Sequence, residues 1–240
     1  MTGRQPLDNS VAPGEADELR SFGRRRGRKP SIRQEALLRD GLPGVALDTS
    51  AATPQHLRHL FSPSVTDVWL EIGFGGGEHL VWQAARNPKV GIIGCEPFQD
   101  GVIKILDAIA SDRHGNIRIV ADDARPLLRW LPPASVGRAF ILFPDPWPKV
   151  RHRKRRLVNV HLLEMLARIM PAGAELRVAS DIGDYARTIL QAVRQQGSFR
   201  WSAAAAADWR ERGPDWPPTR YEVRALAASR RCYYLRFRRR

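Results

Sequence analysis

Residues 65–77 read VTDVWLEIGFGGG, and Glu78-His79-Leu80-Val81 follow at once with a helical pattern. Val65 to Glu71 is a short apolar run ending on a carboxylate, the form of a strand buried inside a sheet. The glycines after it let the backbone turn sharply and let a ligand reach the main chain, while the start of the next helix supplies free N–H groups. Strand, glycine turn and helix together open a doubly wound α/β sheet.

Outward from this turn the same alternation repeats. Val90–Glu96, Ile117–Ala121, Ala139–Phe143 and Glu175–Ser180 are further short apolar strands, separated by helical patterns at about 76–86, 98–111, 124–130, 157–168 and 182–196. Such alternation predicts a parallel sheet with helices on both faces. Phe199–Ala203 and Cys232–Arg238 are also strand-like and are expected to add an antiparallel pair beside the parallel core. Residues 1–19 are polar and lack a hydrophobic period, so they read as a disordered leader. Residues 20–64 form a basic N-terminal extension, residues 65–240 carry the α/β domain, and no internal repeat is visible.

Each of the first three strands ends near an acid: Glu71, then Glu96, then Asp122-Asp123. Open α/β sheets bind ligands at this carboxyl edge, so the cleft is electronegative. A nicotinamide fingerprint requires a small residue where Glu78 stands, and a pyrophosphate suits that carboxylate poorly. S-adenosylmethionine has an ammonium, a ribose, an adenine and a sulfonium but no phosphate, and it fits three strand-end acids beside Gly73 and Gly75. Glu71 is placed to meet the ammonium, Glu96 both ribose hydroxyls and Asp123 the adenine amino group. Ordinary capping of the following helices is the plainer role open to each acid.

The net charge is +14, and it is segregated. Residues 20–33, 149–156 and 220–240 contribute +7, +6 and +7, which leaves the remainder net acidic. Of 39 cationic side chains 34 are arginine, able to grip phosphate bidentately and to stack on bases. A nucleic acid is the polyanion such strips fit. The fourth strand leads into Phe143-Pro144-Asp145-Pro146-Trp147-Pro148-Lys149, where three prolines impose a rigid loop, and then into Arg151-His152-Arg153-Lys154-Arg155-Arg156. A carboxylate next to an aromatic ring beside a basic strip suits an extruded nucleobase on RNA.

The run FPDPWPKVRHRKRRL, preceded by EIGFGGG, resembles the bacterial tRNA (guanine-N7)-methyltransferase family. The likeness extends to SFGRRRGR at 21–28, to Ser180-Asp181 and to Thr219-Arg220-Tyr221-Glu222, about residues 20–238 in all. It implies a Rossmann-like methyltransferase fold, a seven-stranded, mostly parallel sheet with a C-terminal antiparallel strand. It also implies methyl transfer from S-adenosylmethionine to N7 of a guanosine in the tRNA variable loop. By that resemblance Glu71, Glu96, Asp123 and Asp145 line the cofactor site and Asp145 is catalytic. Lys149, Asp181, Thr219, Arg220, Tyr221 and Glu222 meet substrate, and Arg151, Arg153, Lys154, Arg155 and Arg156 run along the RNA backbone. Val150 departs from the basic residue usual in the motif.

Guanine N7 carries an in-plane lone pair and no proton, so its attack needs no general base; positioning and charge stabilisation suffice. The rival chemistry is methylation of an exocyclic amine, since Asp-Pro-Trp-Pro is akin to Asp/Asn-Pro-Pro-aromatic loops with the order changed. The rival class is a non-catalytic tRNA-binding subunit of the same fold, which need not keep four acids. The six histidines lack metal-ligand spacing and no metal is expected. Two cysteines exclude a disulfide framework, and with no apolar export-signal or membrane-spanning run the expected compartment is the cytoplasm.

Overall fold

The structure is a computed structural model that describes residues 25–112 and 114–240; the expected leader and Ser21 to Arg24 of the basic motif lie outside them. The first helix among the described residues is α1 (Ile32–Ala36), capped by Ser31 and continued by a wide π-helical turn at Leu37–Gly41 and a 3₁₀ turn at Leu42–Gly44. The alternating region supplies β1 (Asp67–Ile72), α2 (Glu78–Arg86), β2 (Val90–Cys95), α3 (Gln99–Asp112), β3 (Ile117–Val120) and α4 (Ala124–Trp130). After these come β4 (Arg138–Leu142), α5 (Val160–Ile169), β5 (Glu175–Ser180), α6 (Gly183–Gln196), β6 (Phe199–Trp201), α7 (Ala207–Arg210), α8 (Arg220–Ala227) and β7 (Tyr233–Arg239).

The seven strands form one sheet in the order β3-β2-β1-β4-β5-β7-β6. Strands β1 to β5 pair in parallel, and β7 runs antiparallel to both β5 and β6. Strand order reverses between β1 and β4, so a crevice opens at the carboxyl ends of these two strands, above Glu71 and the loop at Asp145.

Alternation along each strand sends side chains to two cores. Leu70, Ile93, Ile141 and Val178 meet Leu127, Leu163, Leu166, Tyr185 and Ile189 from α4, α5 and α6. Trp69, Ile92 and Phe140 meet Leu80, Ile105, Trp216 and Ala225 from the opposite side. Each fully buried side chain of this size contributes about 1.5–3 kcal/mol, so the layers specify the sheet register that aligns the strand-end acids.

Described residues of the N-terminal extension are knitted to this domain. Leu47 N–H donates to Ile119 O at 2.9 Å and Ile119 N–H donates to Val45 O at 2.8 Å, which covers the β3 edge, and Leu57, Phe61 and Val65 enter the core. The helix expected at 157–168 starts later, at Val160, because Asn159 accepts from Leu162 N–H at 3.0 Å and caps it. Ahead of it the basic run 150–155 winds as a 3₁₀ turn.

Candidate cofactor cleft and nucleic-acid interface

Gly73, Gly75 and Gly77 all have φ between 57° and 82°, the left-handed region, and so fold the turn over the end of β1. Glu96, at the end of β2, fastens it: Gly75 N–H donates to Oε2 at 2.8 Å and Phe98 N–H to Oε1 at 2.9 Å. Burial raises the pKa of Glu96; those two bonds and Arg220 oppose the shift, while the charge of Asp145 adds to it. Glu96, Asp145 and Arg220 therefore share one electrostatic neighbourhood at the glycine turn. Burial, reinforced by Asp123, Glu96 and Asp122, also pushes the Cys95 thiol well up.

The other strand-end acids are engaged differently. Glu71 is buried beneath the turn, where its Oε2 lies 2.7 Å from His79 Nδ1. Gln83 Nε2 donates to His79 Nε2 at 3.1 Å and to Asp215 O at 2.9 Å, an arrangement that places the imidazole proton on Nδ1, facing Glu71. The buried partner His79 was not singled out from sequence, and its only signal is a place one helical turn from Gln83. Asp123 caps α4, accepting from Arg125 N–H at 2.9 Å and from the Arg125 guanidinium at 3.1 Å. Asp122 pairs with Arg25 at 2.9 Å.

Beyond β4, Phe143 and Trp147 have φ of 52° and 42°, and each precedes a proline. Left-handed backbone at bulky residues costs of order 1–3 kcal/mol apiece and persists only where the surroundings over-determine it. Asp145 is thereby held exposed between two strained positions. Arg155 lies over the Trp147 ring, 5.0 Å from its centroid, and His152 meets the same ring edge-on at 5.9 Å.

Arg156 requires a correction. Expected on the RNA backbone, it is 4% exposed and donates to Pro146 O at 3.0 Å, Thr188 Oγ1 at 2.9 Å and Asp184 Oδ2 at 2.7 Å. It is the internal bolt of the proline loop, because its position directly before the apolar Leu157-Val158 carries it inward. Lys149, Arg151, Arg153, Lys154 and Arg155 remain nearer the surface, Arg153 also pairing with Asp184 at 3.0 Å. A basic groove, of about 580 Å³, is lined by Arg26, Arg28, Lys29 and Arg39 beside Gln99, at the start of the helix that follows Glu96.

The C-terminal segment converges on the same edge. Thr219 caps α8 by accepting from Glu222 N–H at 3.2 Å. Glu222 is buried and accepts from Arg212 Nε at 2.9 Å and Tyr234 Oη at 2.7 Å, so it anchors the helix from within. Tyr221 is partly exposed against Gly75, and Arg220 reaches over Gly76. Asp181, after β5, accepts from Arg230 Nε at 2.7 Å. The loop through Gly213–Pro218 is pinned by Asp215, which pairs with buried Arg177, and Arg177 also pairs with Glu175. Burial alone would raise the pKa of Glu175, but its hydrogen bond from Arg177 and the charges of Arg177, Arg138 and Arg238 hold it below the usual range. Trp216 is buried against His79 and Tyr234, a packing role.

Among the described residues no group of three His, Cys, Asp or Glu side chains is gathered as a metal would need. None of their helices is long and apolar enough to cross a membrane.

The sequence matches the model of a family described as "Putative methyltransferase" over residues 66–235. It is 48% identical over 216 residues to the tRNA (guanine-N(7)-)-methyltransferase of Mesorhizobium japonicum, covering 90% of this chain and 93% of that one. The enzyme of the same name from Nitrobacter hamburgensis is 44% identical over 237 residues, with 98% and 93% covered. In fold the chain is similar to the 16S rRNA methyltransferase KamB, with a TM-score of 0.54 at 16% identity over 74% of this chain and 90% of that one. It is also similar to TrmN from Thermus thermophilus, with a TM-score of 0.53 at 14% identity over 77% and 47%. With a family model matched over most of the chain and relatives of this identity and coverage, the chain belongs to the bacterial tRNA (guanine-N7)-methyltransferase family of Rossmann-like methyltransferases.

Proposed function

We propose that this protein transfers a methyl group from S-adenosylmethionine to N7 of a guanosine in the variable loop of tRNA. The observation that carries the reading is the loop after β4: Asp145 stands between strained Phe143 and Trp147, within electrostatic reach of Glu96 and next to a basic turn. The donor set fits the cofactor: a glycine turn at a helix start, a buried carboxylate at the end of β2 for two ribose hydroxyls, and acids suited to a sulfonium and an ammonium. S-adenosylmethionine, when bound, supplies an electrophilic methyl on sulfur. Glu96 and the turn hold its nucleoside end, and Glu71 and Asp123 contribute negative potential from their buried or capped positions.

Asp145 and the Trp147 ring meet the guanine. Because N7 has no proton, Asp145 stabilises the cationic purine rather than removing a proton, and Asp181, after β5 and paired with Arg230, accepts from the purine's N–H groups. Lys149 to Arg155 and the groove at Arg26 to Arg39 carry tRNA phosphates. These roles belong to the cytoplasm, where tRNA is processed.

Mass spectrometry of tRNA nucleosides after incubation with the enzyme and S-adenosylmethionine is expected to show 7-methylguanosine. An exocyclic N-methylguanosine, or no product, would overturn the reading. Asp145→Asn should retain substrate binding yet lower the single-turnover rate by ~10² or more, a typical loss for one preorganised electrostatic group. A near wild-type rate at saturation would limit Asp145 to binding.

A further inference from the structure

The acidic cleft contains a cation whose task none of the roles above explains. Arg220 leaves the first turn of α8 and lays its guanidinium on the glycine turn: a Cβ at Gly76 would collide with it, standing 2.6 Å from Cζ. Its Nε lies 3.2 Å from Glu78 Oε1, yet that buried nitrogen finds no acceptor in hydrogen-bonding geometry among the described residues. The root of the side chain is fixed, since Thr219 caps the helix and Glu222 ties it to Arg212 and Tyr234. A rigidly rooted, half-buried guanidinium with spare donors, set against the N-terminus of α2, is a receptor for a carboxylate.

The cofactor offers one. Its α-carboxylate must enter beside Glu78, Glu96 and Asp145, and repulsion there would be severe without a counter-charge. We propose that Arg220 is the counter-ion of the cofactor's α-carboxylate, held over Gly76 by Glu78 so that the amino-acid end of the ligand is recognised separately from its nucleoside. This assignment rests on the reading of S-adenosylmethionine as cofactor. It gives Arg220 a cofactor role in place of the substrate role expected from the motif.

Two ligands separate the ends. S-adenosylhomocysteine carries the carboxylate, whereas 5′-methylthioadenosine keeps the adenosine and thioether and lacks the amino-acid chain. Calorimetry on the purified full chain should show Arg220→Ala binding S-adenosylhomocysteine roughly 10- to 100-fold more weakly, the range for a charge-assisted hydrogen bond, with 5′-methylthioadenosine within about twofold of wild type. Arg220→Lys should fall between. Equal weakening of both ligands would make Arg220 merely structural. Tighter binding of both would make it a plug, and unchanged binding would make it idle; any of the three overturns the assignment. Wild-type protein that binds neither ligand would instead overturn the cofactor reading on which it rests.

Discussion

Arg156→Met tests whether the arginine is a bolt or an RNA contact. Methionine keeps much of the aliphatic volume while deleting the guanidinium, leaving Pro146 O, Thr188 Oγ1 and Asp184 Oδ2 without their donor. Breaking a buried charge pair costs about 3–5 kcal/mol, but Asp184 is a third exposed and keeps Arg153 at 3.0 Å, which favours the lower end, about 3 kcal/mol. For a domain of this size each kcal/mol lowers Tm by about 2–4 °C, so the variant should melt roughly 6–12 °C below wild type. Arg153→Ala, which removes only the exposed partner, should cost less than about 1 kcal/mol.

The hydrogen bond from Arg156 is the main cause holding the Asp184 carboxyl below its ordinary value. A depressed carboxyl contributes stability above its unfolded pKa and loses it as pH falls through the folded one, so the gap between wild type and variant should narrow in acid. Thermal unfolding by circular dichroism, run beside salt-dependent tRNA binding, decides the matter. A variant melting within about 2 °C of wild type, with a binding slope shallower by about one unit, would show that Arg156 faces phosphate after all.

Two further outcomes are expected. Because burial raises the pKa of Glu96, its protonated form persists to higher pH than in a free glutamate, so affinity for S-adenosylmethionine should fall on mild acidification. Glu96→Ala, which removes both ribose hydrogen bonds, should bind more weakly by roughly 2–4 kcal/mol and flatten that acid limb in calorimetry; parallel pH profiles would refute the role. Replacing Arg153 and Arg155 together by Ala should reduce the slope of log K for tRNA against log salt by about 1–2 units while leaving cofactor affinity unchanged, and an unaltered slope would remove the strip from the interface.

The sheet was legible because its cues are local. VTDVWLE, the glycines and the next apolar runs carry period and punctuation within a few residues, and β1 to β5 appear within a residue or two of their expected limits. The site was legible only as residue types at strand ends. What the sequence conceals is which way a side chain turns. Arg156 lies in a run of six cations yet alone among them is deeply buried, since its partners Thr188 and Asp184 come from α6, about thirty residues away. Glu71 and His79 are joined by a strand-to-helix reversal that no spacing rule predicts. The short helix α8 escaped notice because Val223, Leu226 and Tyr221 are exposed, so its apolar residues mark no buried stripe.

The placement of β7 between β5 and β6 bears on the order in which the molecule assembles. β7 is made after every other element described, yet it supplies the middle of its end of the sheet, pairing six residues with β5 and three with β6. Until it leaves the ribosome, the flank of β5 is an open edge and β6 has no neighbour to bond. Tyr234, which anchors Glu222 and through it α8, arrives with the same strand. The Gly-rich turn and its acids can therefore form during synthesis, whereas the arginine-bearing helix that closes over them waits for the final strand to slide into its slot. The cleft is thus completed by the last-made of the described elements.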